Sequence, residues 1–512
     1  MAGVSGELIL DGGPLTRAQV VVVARDGVRV RVGPTAGQRL AESRAALEHA
    51  AEDGRAVYGV NTGFGSFARQ RINPEELRDL QRNLIRSHAA GVGAPLPEDV
   101  VRGMLVVLAA SLCRGASGVR PVLVEAICGL LNAGVTPVVP ESGSVGASGD
   151  LAPLAHCALV LIGEGEAFLD GEKVEGGEAL RRAGLTAVEL EAKEGLALIN
   201  GTHLMSARLA LITEGVENLW PAALAGAAMS LDACRSTDAF LHPRVYELRG
   251  HPECAEVATR FRELLDGSEI IPSHADADDP RVQDPYSIRC APIVLGSALS
   301  ALRHAQTALE RELGAVTDNP LLVHESPGEP ARVVSAGNFH GMPMAIPLDV
   351  VAIGLAHVAG IAERRVDHML SAVDDQANLR PFLSPVPGLH SGYMIAQYTA
   401  AALCNELIGL STPASVSNLT TSAAMEDYNS FGPRAAAKAS RGLDLATRVV
   451  AIELLCAAQA LEAHRPLKSG AGVERAHDLV RTVAPPLVED RPPSPDIEAI
   501  ASMIERGAFT AG

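Results

Sequence analysis

Aromatic residues are scarce. Phenylalanine, tyrosine and tryptophan supply only 3% of the 512 residues, although 47% of the chain is apolar. A core with so few rings must be filled by aliphatic and small side chains, and the dominant alanine and leucine both favour helix. Basic charge is also in deficit: 43 Lys and Arg face 61 Asp and Glu, a net charge of −18 that argues against a nucleic-acid partner. Apolar runs such as residues 104–112 are too short to span a bilayer, so no membrane partner is expected. The first residues lack the basic-then-apolar pattern of a secretory signal. Eight scattered cysteines include no Cys-x-x-Cys pair, which points to reduced, mostly buried thiols in a cytoplasmic protein. Fifteen histidines fall in no ligand spacing, and the acidic run at 276–279 reads as solvated loop, so no metal is expected.

Periodicity divides the chain. Residues 7–33 read as short β-prone pieces, with valines clustered at 20–23 and 28–32. Helices are expected over 39–52, from Pro74 to about His88, over 97–113, and over 120–133 with Gly134 as a stop. A hairpin around Asp170-Gly171 and a helix near 177–183 follow. From Thr202 the pattern lengthens. Residues 203–234, 293–314, 344–372, 389–411 and 433–462 each carry helical spacing, with Pro221 and Gly226 as candidate kinks in the first. A helix of about 28 residues spans roughly 42 Å, and several of that length suggest a close-packed bundle. Residues 464–493 read as an exposed connection, and a last helix runs from about Pro495 to Arg506 with Ser494 as cap. The expected fold is mainly α: a long central helical bundle with a smaller mixed N-terminal part. Its regions are 1–200, 201–463 and 464–512. Internal repeats and long linkers are absent.

Residues 143–150 read Gly-Ser-Val-Gly-Ala-Ser-Gly-Asp. In such a loop the nitrogen of Gly149 can reach the carbonyl carbon of Ala147, because Gly149 has no Cβ in the way. Loss of two waters, one from the Ser148 side chain, leaves a 4-methylidene-imidazol-5-one. That ring is an electrophile, a function no ordinary side chain provides. Asp150 as N-cap and Pro153 in the first turn start a helix that the apolar run carries to Ile162 and Gly163 ends. Its dipole would stabilise negative charge on the ring. A hydrolase nucleophile elbow fits poorly, since Asp150 stands where Gly-x-Ser-x-Gly needs glycine and residues 137–140 read Pro-Val-Val-Pro. Taken alone, the triplet reads first as a glycine-rich loop capping a helix.

The triplet has company. In order along the chain come Tyr-Gly-Val-Asn-Thr-Gly-Phe-Gly at 58–65, Asn-Leu-Ile-Arg-Ser-His-Ala-Ala-Gly at 83–91, and the triplet with Leu-Ala-Pro-Leu to 154. Glu-Gly-Leu-Ala-Leu-Ile-Asn-Gly-Thr follows at 194–202 and Gln-Asp-Pro-Tyr-Ser-Ile-Arg at 283–289. Asp-Asn-Pro at 318–320, Gly-Asn-Phe-His-Gly at 337–341 and Ser-Gly-Tyr-Met-Ile-Ala-Gln at 391–397 complete the set. In these motifs the chain resembles the aromatic amino acid ammonia-lyase family over most of its length. The resemblance implies a carbon–nitrogen lyase with an ammonia-lyase-like fold. The ring from Ala147, Ser148 and Gly149 would be its only cofactor, an amino acid its substrate. It also implies a homotetramer in which each active site draws on three subunits.

The resemblance assigns roles that the chemistry supports. Ammonia is a poor leaving group and the β-proton is weakly acidic, so an electrophile and a base are both needed. Tyr58, between glycines that allow a loop to close, is the candidate base. Tyr286 and Arg289 lie three apart on one helical turn. The guanidinium of Arg289 suits the substrate carboxylate, and Tyr286 would assist proton transfer or amine release. Asn200 and Gln283 would hydrogen-bond the ring or the substrate. Phe339 would pack near the ring, and Asn338 would help hold the loop. Ser87-His88 matches histidine-specific members, and an imidazole at His88 can pair with another imidazole. Glu426 can accept an imidazole N–H. Met425, Tyr428, Asn429 and Phe431 depart from the Gln, His, Val and Met of the family pattern. The expected reaction is L-histidine to urocanate and ammonia. The alternatives are a tyrosine or phenylalanine ammonia-lyase, a 2,3-aminomutase, or a non-catalytic helical scaffold.

Overall fold

The computed structural model describes residues 6–52, 59, 62–63, 70–274, 282–323 and 331–510. The acidic run at 276–279 and Tyr58 lie outside the described residues. The chain forms two compact units. The first comprises Met1–Leu211, Ala305–Leu348 and Pro413–Ala437; the second comprises Ile212–His304, Asp349–Thr412 and Lys438–Gly512.

The first unit holds the short strands. Leu8–Leu10 pairs in parallel with Val30–Val32, and Glu166–Leu169 turns back antiparallel onto Glu172–Glu175. Asp170 and Gly171 both have positive φ, as the expected two-residue hairpin turn requires. The valines at 20–23 are not strand. They lie in the helix Arg17–Arg25, which Thr16 and Gln19 open with a reciprocal capping box and which packs on Glu98–Leu112. Burial of Val20, Val21 and Val23 against that helix overrides their β preference. Three helices build the floor of the site: Leu77–His88, Leu151–Leu161 and Glu194–Ile199 pack on one another. Gln81, fully buried on the first, accepts the Gly195 N–H at 2.9 Å and so caps the third. Pro121–Ala133 ends at Gly134 in the left-handed region, as its sequence demands.

The long helices run as His203–Ala233, Ala291–Glu312, Met342–Ser371, Met394–Leu410 and Gly432–Leu461. Pro221 does not interrupt the first. Within the second unit, Arg365 and Glu453 form a buried ion pair with Nη2 to Oε2 at 3.0 Å, and Ser230 Oγ donates to Glu453 Oε1 at 2.9 Å. This network joins three helices through side chains from which water is excluded. Met342–Ser371 is long and apolar enough to cross a membrane by length and composition, longer than the runs that stand out in the sequence. Two thirds of its apolar window is buried in the protein. The buried Asp349, Glu363 and Arg365 mark it as a packed core helix. Residues 464–493 are more than a connection: Ala471–Arg481 is a helix with Val473, Ala476 and Val480 buried. Short helices at Pro243–Arg249 and Pro252–Leu265 also went unanticipated. None of the eight cysteines forms a disulfide, and six are buried.

Candidate active site at the Ala147-Ser148-Gly149 loop

The loop at 143–150 is pinned from three sides. Ser144 Oγ donates to the Gly149 carbonyl at 3.1 Å and receives the Gly146 N–H at 3.3 Å, which closes a turn inside the loop. From outside, Phe431 N–H donates to the Val145 carbonyl at 2.8 Å, Ser430 Oγ to the Gly146 carbonyl at 2.9 Å, and Gly341 N–H to the same carbonyl at 3.2 Å. From beneath, Gly201 N–H reaches the Ser148 carbonyl at 3.4 Å and the Gly201 carbonyl takes the Asp150 N–H at 2.7 Å. Gly149 sits between these last two bonds at φ +78°, and a Cβ there would stand 2.1 Å from the Gly201 oxygen. Only glycine fits. Among the described residues the Gly149 N–H has no acceptor, so its nitrogen is not committed elsewhere. A free nitrogen on an unobstructed glycine is what closure onto the Ala147 carbonyl needs.

The helix Leu151–Leu161 begins directly after the loop, with its N-terminal dipole at the triplet. Asp150 does not cap it, contrary to expectation. Its backbone is held by Gly201 at φ −95° and ψ 51°, and its carboxylate turns away. Oδ2 instead accepts the N–H groups of Leu204 at 2.8 Å and Met205 at 3.3 Å, capping the helix His203–Ala233 across space. Complete burial pushes the Asp150 carboxyl up to about 7, against the lowering effect of these two bonds.

The triplet opens into a cavity of about 1080 Å³. Ala147, Ser148, Ser87, His88, Asn200, Phe339 and Glu426 all line it, so seven residues singled out in the sequence converge on one space. Ser148 Oγ donates to Glu426 Oε1 at 3.0 Å, and Thr421 Oγ1 donates to Glu426 Oε2 at 2.9 Å. His88 Nδ1 lies 2.9 Å from the Leu84 carbonyl, which can only accept, so the proton sits on Nδ1 and Nε2 carries the lone pair. Burial lowers the His88 pKa, opposed by that hydrogen bond and by the field of Glu426. The lowered pKa favours the neutral ring, whose Nε2 is an acceptor in the same cavity as the Glu426 carboxylate. Asn200, 3% exposed, donates through Nδ2 to the Asn319 carbonyl at 3.2 Å. Asn338 Nδ2 donates to the Val316 carbonyl at 3.3 Å, which ties down the loop that carries Phe339.

Gln283, Tyr286 and Arg289 do not line this cavity; they belong to the second unit. Tyr286 and Arg289 do share one helical turn, Tyr286–Arg289. The guanidinium carbon lies 4.6 Å from the tyrosine ring centroid, and Nε donates to the Asp284 carbonyl at 2.8 Å. Tyr286 is 70% exposed. Of the departures from the family pattern, Met425 and Tyr428 line the cavity. Asn429 is buried and knits the segment together through Asn418 and Leu419. Several contributors were not anticipated, Ser430 and Thr421 among them. Ser144 and Gly201 hold the triplet, and both stand inside motifs, at 143–150 and 194–202. His340, also in a motif, lines the cavity and bonds to Tyr428.

The chain is similar to known proteins over nearly its whole length. The family model described as aromatic amino acid lyase matches residues 15–482. The histidine ammonia-lyase of Anaeromyxobacter dehalogenans is 47% identical over 509 residues, covering 98% of this chain and 99% of that protein. Among solved structures, histidine ammonia-lyase from Trypanosoma cruzi superposes with a TM-score of 0.89 at 38% identity, covering 98% of this chain and 94% of the other. Tyrosine aminomutase from Streptomyces globisporus superposes with a TM-score of 0.91 at 33% identity, covering 99% and 98%. Full-length identity of this order, together with a loop whose glycine cannot be replaced, places the chain in the aromatic amino acid lyase family.

Proposed function

We propose that this carbon–nitrogen lyase converts L-histidine to urocanate and ammonia, with an electrophilic ring formed from Ala147, Ser148 and Gly149. The free Gly149 nitrogen and the clash that any side chain there would meet support the ring. When formed, the ring supplies an electrophilic carbon that draws on the substrate amine; no external cofactor is invoked.

The observation that carries the choice of substrate is the pairing of neutral His88 and Glu426 in one cavity. A neutral imidazole has one N–H to give, and an imidazolium has two. His88 Nε2 and the Glu426 carboxylate are both acceptors, which suits the N–H groups of a substrate imidazole better than an apolar phenyl ring. The N-terminus of Leu151–Leu161 stabilises negative charge beside the triplet. Asn200, at the cavity wall, orients polar groups of ring or substrate, and Phe339 keeps water from the reacting atoms. Tyr58 is the proposed base.

Arg289 is the proposed carboxylate anchor, with Tyr286 and Gln283 beside it. We propose that these three residues act in a cavity of another copy within a homotetramer. In support, Tyr286 is exposed, as are Ile353, Ile395, Tyr398 and Ile408 on the helices Met342–Ser371 and Met394–Leu410. Apolar side chains on such faces gain by burial between copies. The cytoplasm is the proposed compartment, in keeping with eight cysteines that form no disulfide.

The test is product identification with L-histidine, L-tyrosine and L-phenylalanine side by side. Urocanate and ammonia should appear fastest. Faster turnover of tyrosine, or a β-amino acid product, would overturn the reading of His88 and Glu426.

A further inference from the structure

The stretch that presents Glu426 is weakly held. Met425 and Tyr428 are 60% and 62% exposed. Ser422, Ala423 and Ala424 all adopt positive φ, at 51°, 50° and 69°, without being glycine. Backbone of this kind persists only where its surroundings fix it. Most bonds on Met425 through Asn429 come from within the same stretch: Thr421, Ser422, Asn418 and Leu419. Among the described residues, two come from elsewhere in the first unit. One is the Ser148 hydroxyl on Glu426. The other is His340, whose Nε2 lies 3.1 Å from the Tyr428 carbonyl.

The partners of His340 decide its tautomer. Nδ1 accepts the Met342 N–H at 3.3 Å, one of the orphan donors at the start of the helix Met342–Ser371. A backbone N–H can only donate, so Nδ1 is the unprotonated nitrogen. Nε2 then carries the hydrogen and donates it to the Tyr428 carbonyl. The ring also lies beside the Tyr428 ring, centroids 6.3 Å apart. His340 thus couples a rigid helix start to the strained stretch two residues beyond Glu426.

The two external ties do not have the same lifetime. Ring formation removes the Ser148 hydroxyl as water, and the bond from Ser148 Oγ to Glu426 goes with it. The carboxylate is then held by Thr421 Oγ1, inside the stretch. Among the described residues of one chain, His340 is the remaining outside tie on Met425 through Asn429, while Ser430 and Phe431 just beyond stay bonded to Gly146 and Val145. We propose that His340 is a positioning residue that sets the place of the Glu426 carboxylate once the ring has formed. This rests on the ring assigned to Ala147, Ser148 and Gly149 above.

The test uses the full-length protein and three readouts. Intact mass of the His340→Ala variant should match wild type apart from the substitution, with both waters lost. Amide exchange over residues 422–429 should accelerate about tenfold or more, with the helix Glu98–Leu112 unchanged. Turnover of histidine, as kcat/KM, should fall by about tenfold, yet by less than about threefold when His340→Ala is made in a Glu426→Gln background. His340→Gln should restore both exchange and turnover, since its amide can accept from Met342 and donate to Tyr428. If the alanine variant does not fold, His340→Leu, which keeps bulk and loses both bonds, carries the same comparison. Unchanged exchange overturns the proposal, and so does an undiminished loss in the Glu426→Gln background. A wild type that leaves histidine untouched sinks the substrate reading instead, and the exchange result still decides the tie.

Discussion

Replacing Gly149 by alanine tests the geometry of the loop most sharply. The added Cβ would stand 2.1 Å from the Gly201 oxygen and 2.4 Å from its carbonyl carbon. Both are backbone atoms, so no side chain can swing aside. The residue must also keep φ near +78°, which costs an L-residue about 1–2 kcal/mol. Forcing a methyl into a filled space adds about 1–3 kcal/mol. Together they predict about 2–5 kcal/mol of destabilisation in the first unit, or a loop that swings off Gly201 to avoid it. In either case the nitrogen leaves its place near the Ala147 carbonyl. Urea unfolding should show an earlier transition, intact mass should show both waters retained, and histidine turnover should vanish. A Gly149→Ala protein of wild-type stability that still sheds two waters would refute the argument that close backbone approach reserves this position for glycine.

Two further outcomes follow from buried charge. The Asp150 carboxyl is raised to about 7 in the folded chain, so folding favours its protonated form. Its contribution to stability is complete below the unfolded value near 3.8 and is lost as pH rises toward 7. The Asp150→Asn variant keeps an oxygen for Leu204 and Met205 and should lose less stability than wild type between pH 4 and 8, roughly the span of that shift. Parallel urea midpoints across that range would show otherwise. Arg365→Ala leaves the Glu453 carboxyl buried with its guanidinium partner gone, in a site where both side chains are 1% exposed or less. The expected loss is about 3–5 kcal/mol in chemical unfolding, and a loss below about 1 kcal/mol would mean that water reaches the pair.

Much of this architecture can be read from the residues. The five long helices show in apolar spacing because each has a buried face along most of its length, and their ends fall within a few residues of expectation except at 389–411, which starts at Met394. The hairpin at Asp170-Gly171 and the stop at Gly134 depend on glycine chemistry that is local by nature. The helix Arg17–Arg25 was hidden by four valines, although Thr16-x-x-Gln19 spelled its capping box. Ala471–Arg481 was hidden by the prolines and charges around it, while Val473, Ala476 and Val480 kept helical spacing. Asp150 shows the limit of local reasoning. A carboxylate before a helix is a cap by default, but the bond from its own N–H to Gly201 redirects it to another helix start.

The site divides in the same way. Ser148 and Glu426 are 278 residues apart and meet at 3.0 Å, a contact that motifs suggest and only folding brings about. Tyr286 and Arg289 pair as their spacing predicts, on a different unit from the cavity. His340 acts through a carbonyl, and carbonyl partners leave no mark in a sequence.

Mass mapping of the peptide that contains residues 143–150, taken from protein that is actively deaminating histidine, tests the central claim most directly. The wild-type peptide should be two waters lighter than its sequence. The Ser148→Ala peptide should have full mass in a chain that folds normally and turns over almost nothing. A wild-type peptide of full mass from working enzyme would contradict the account.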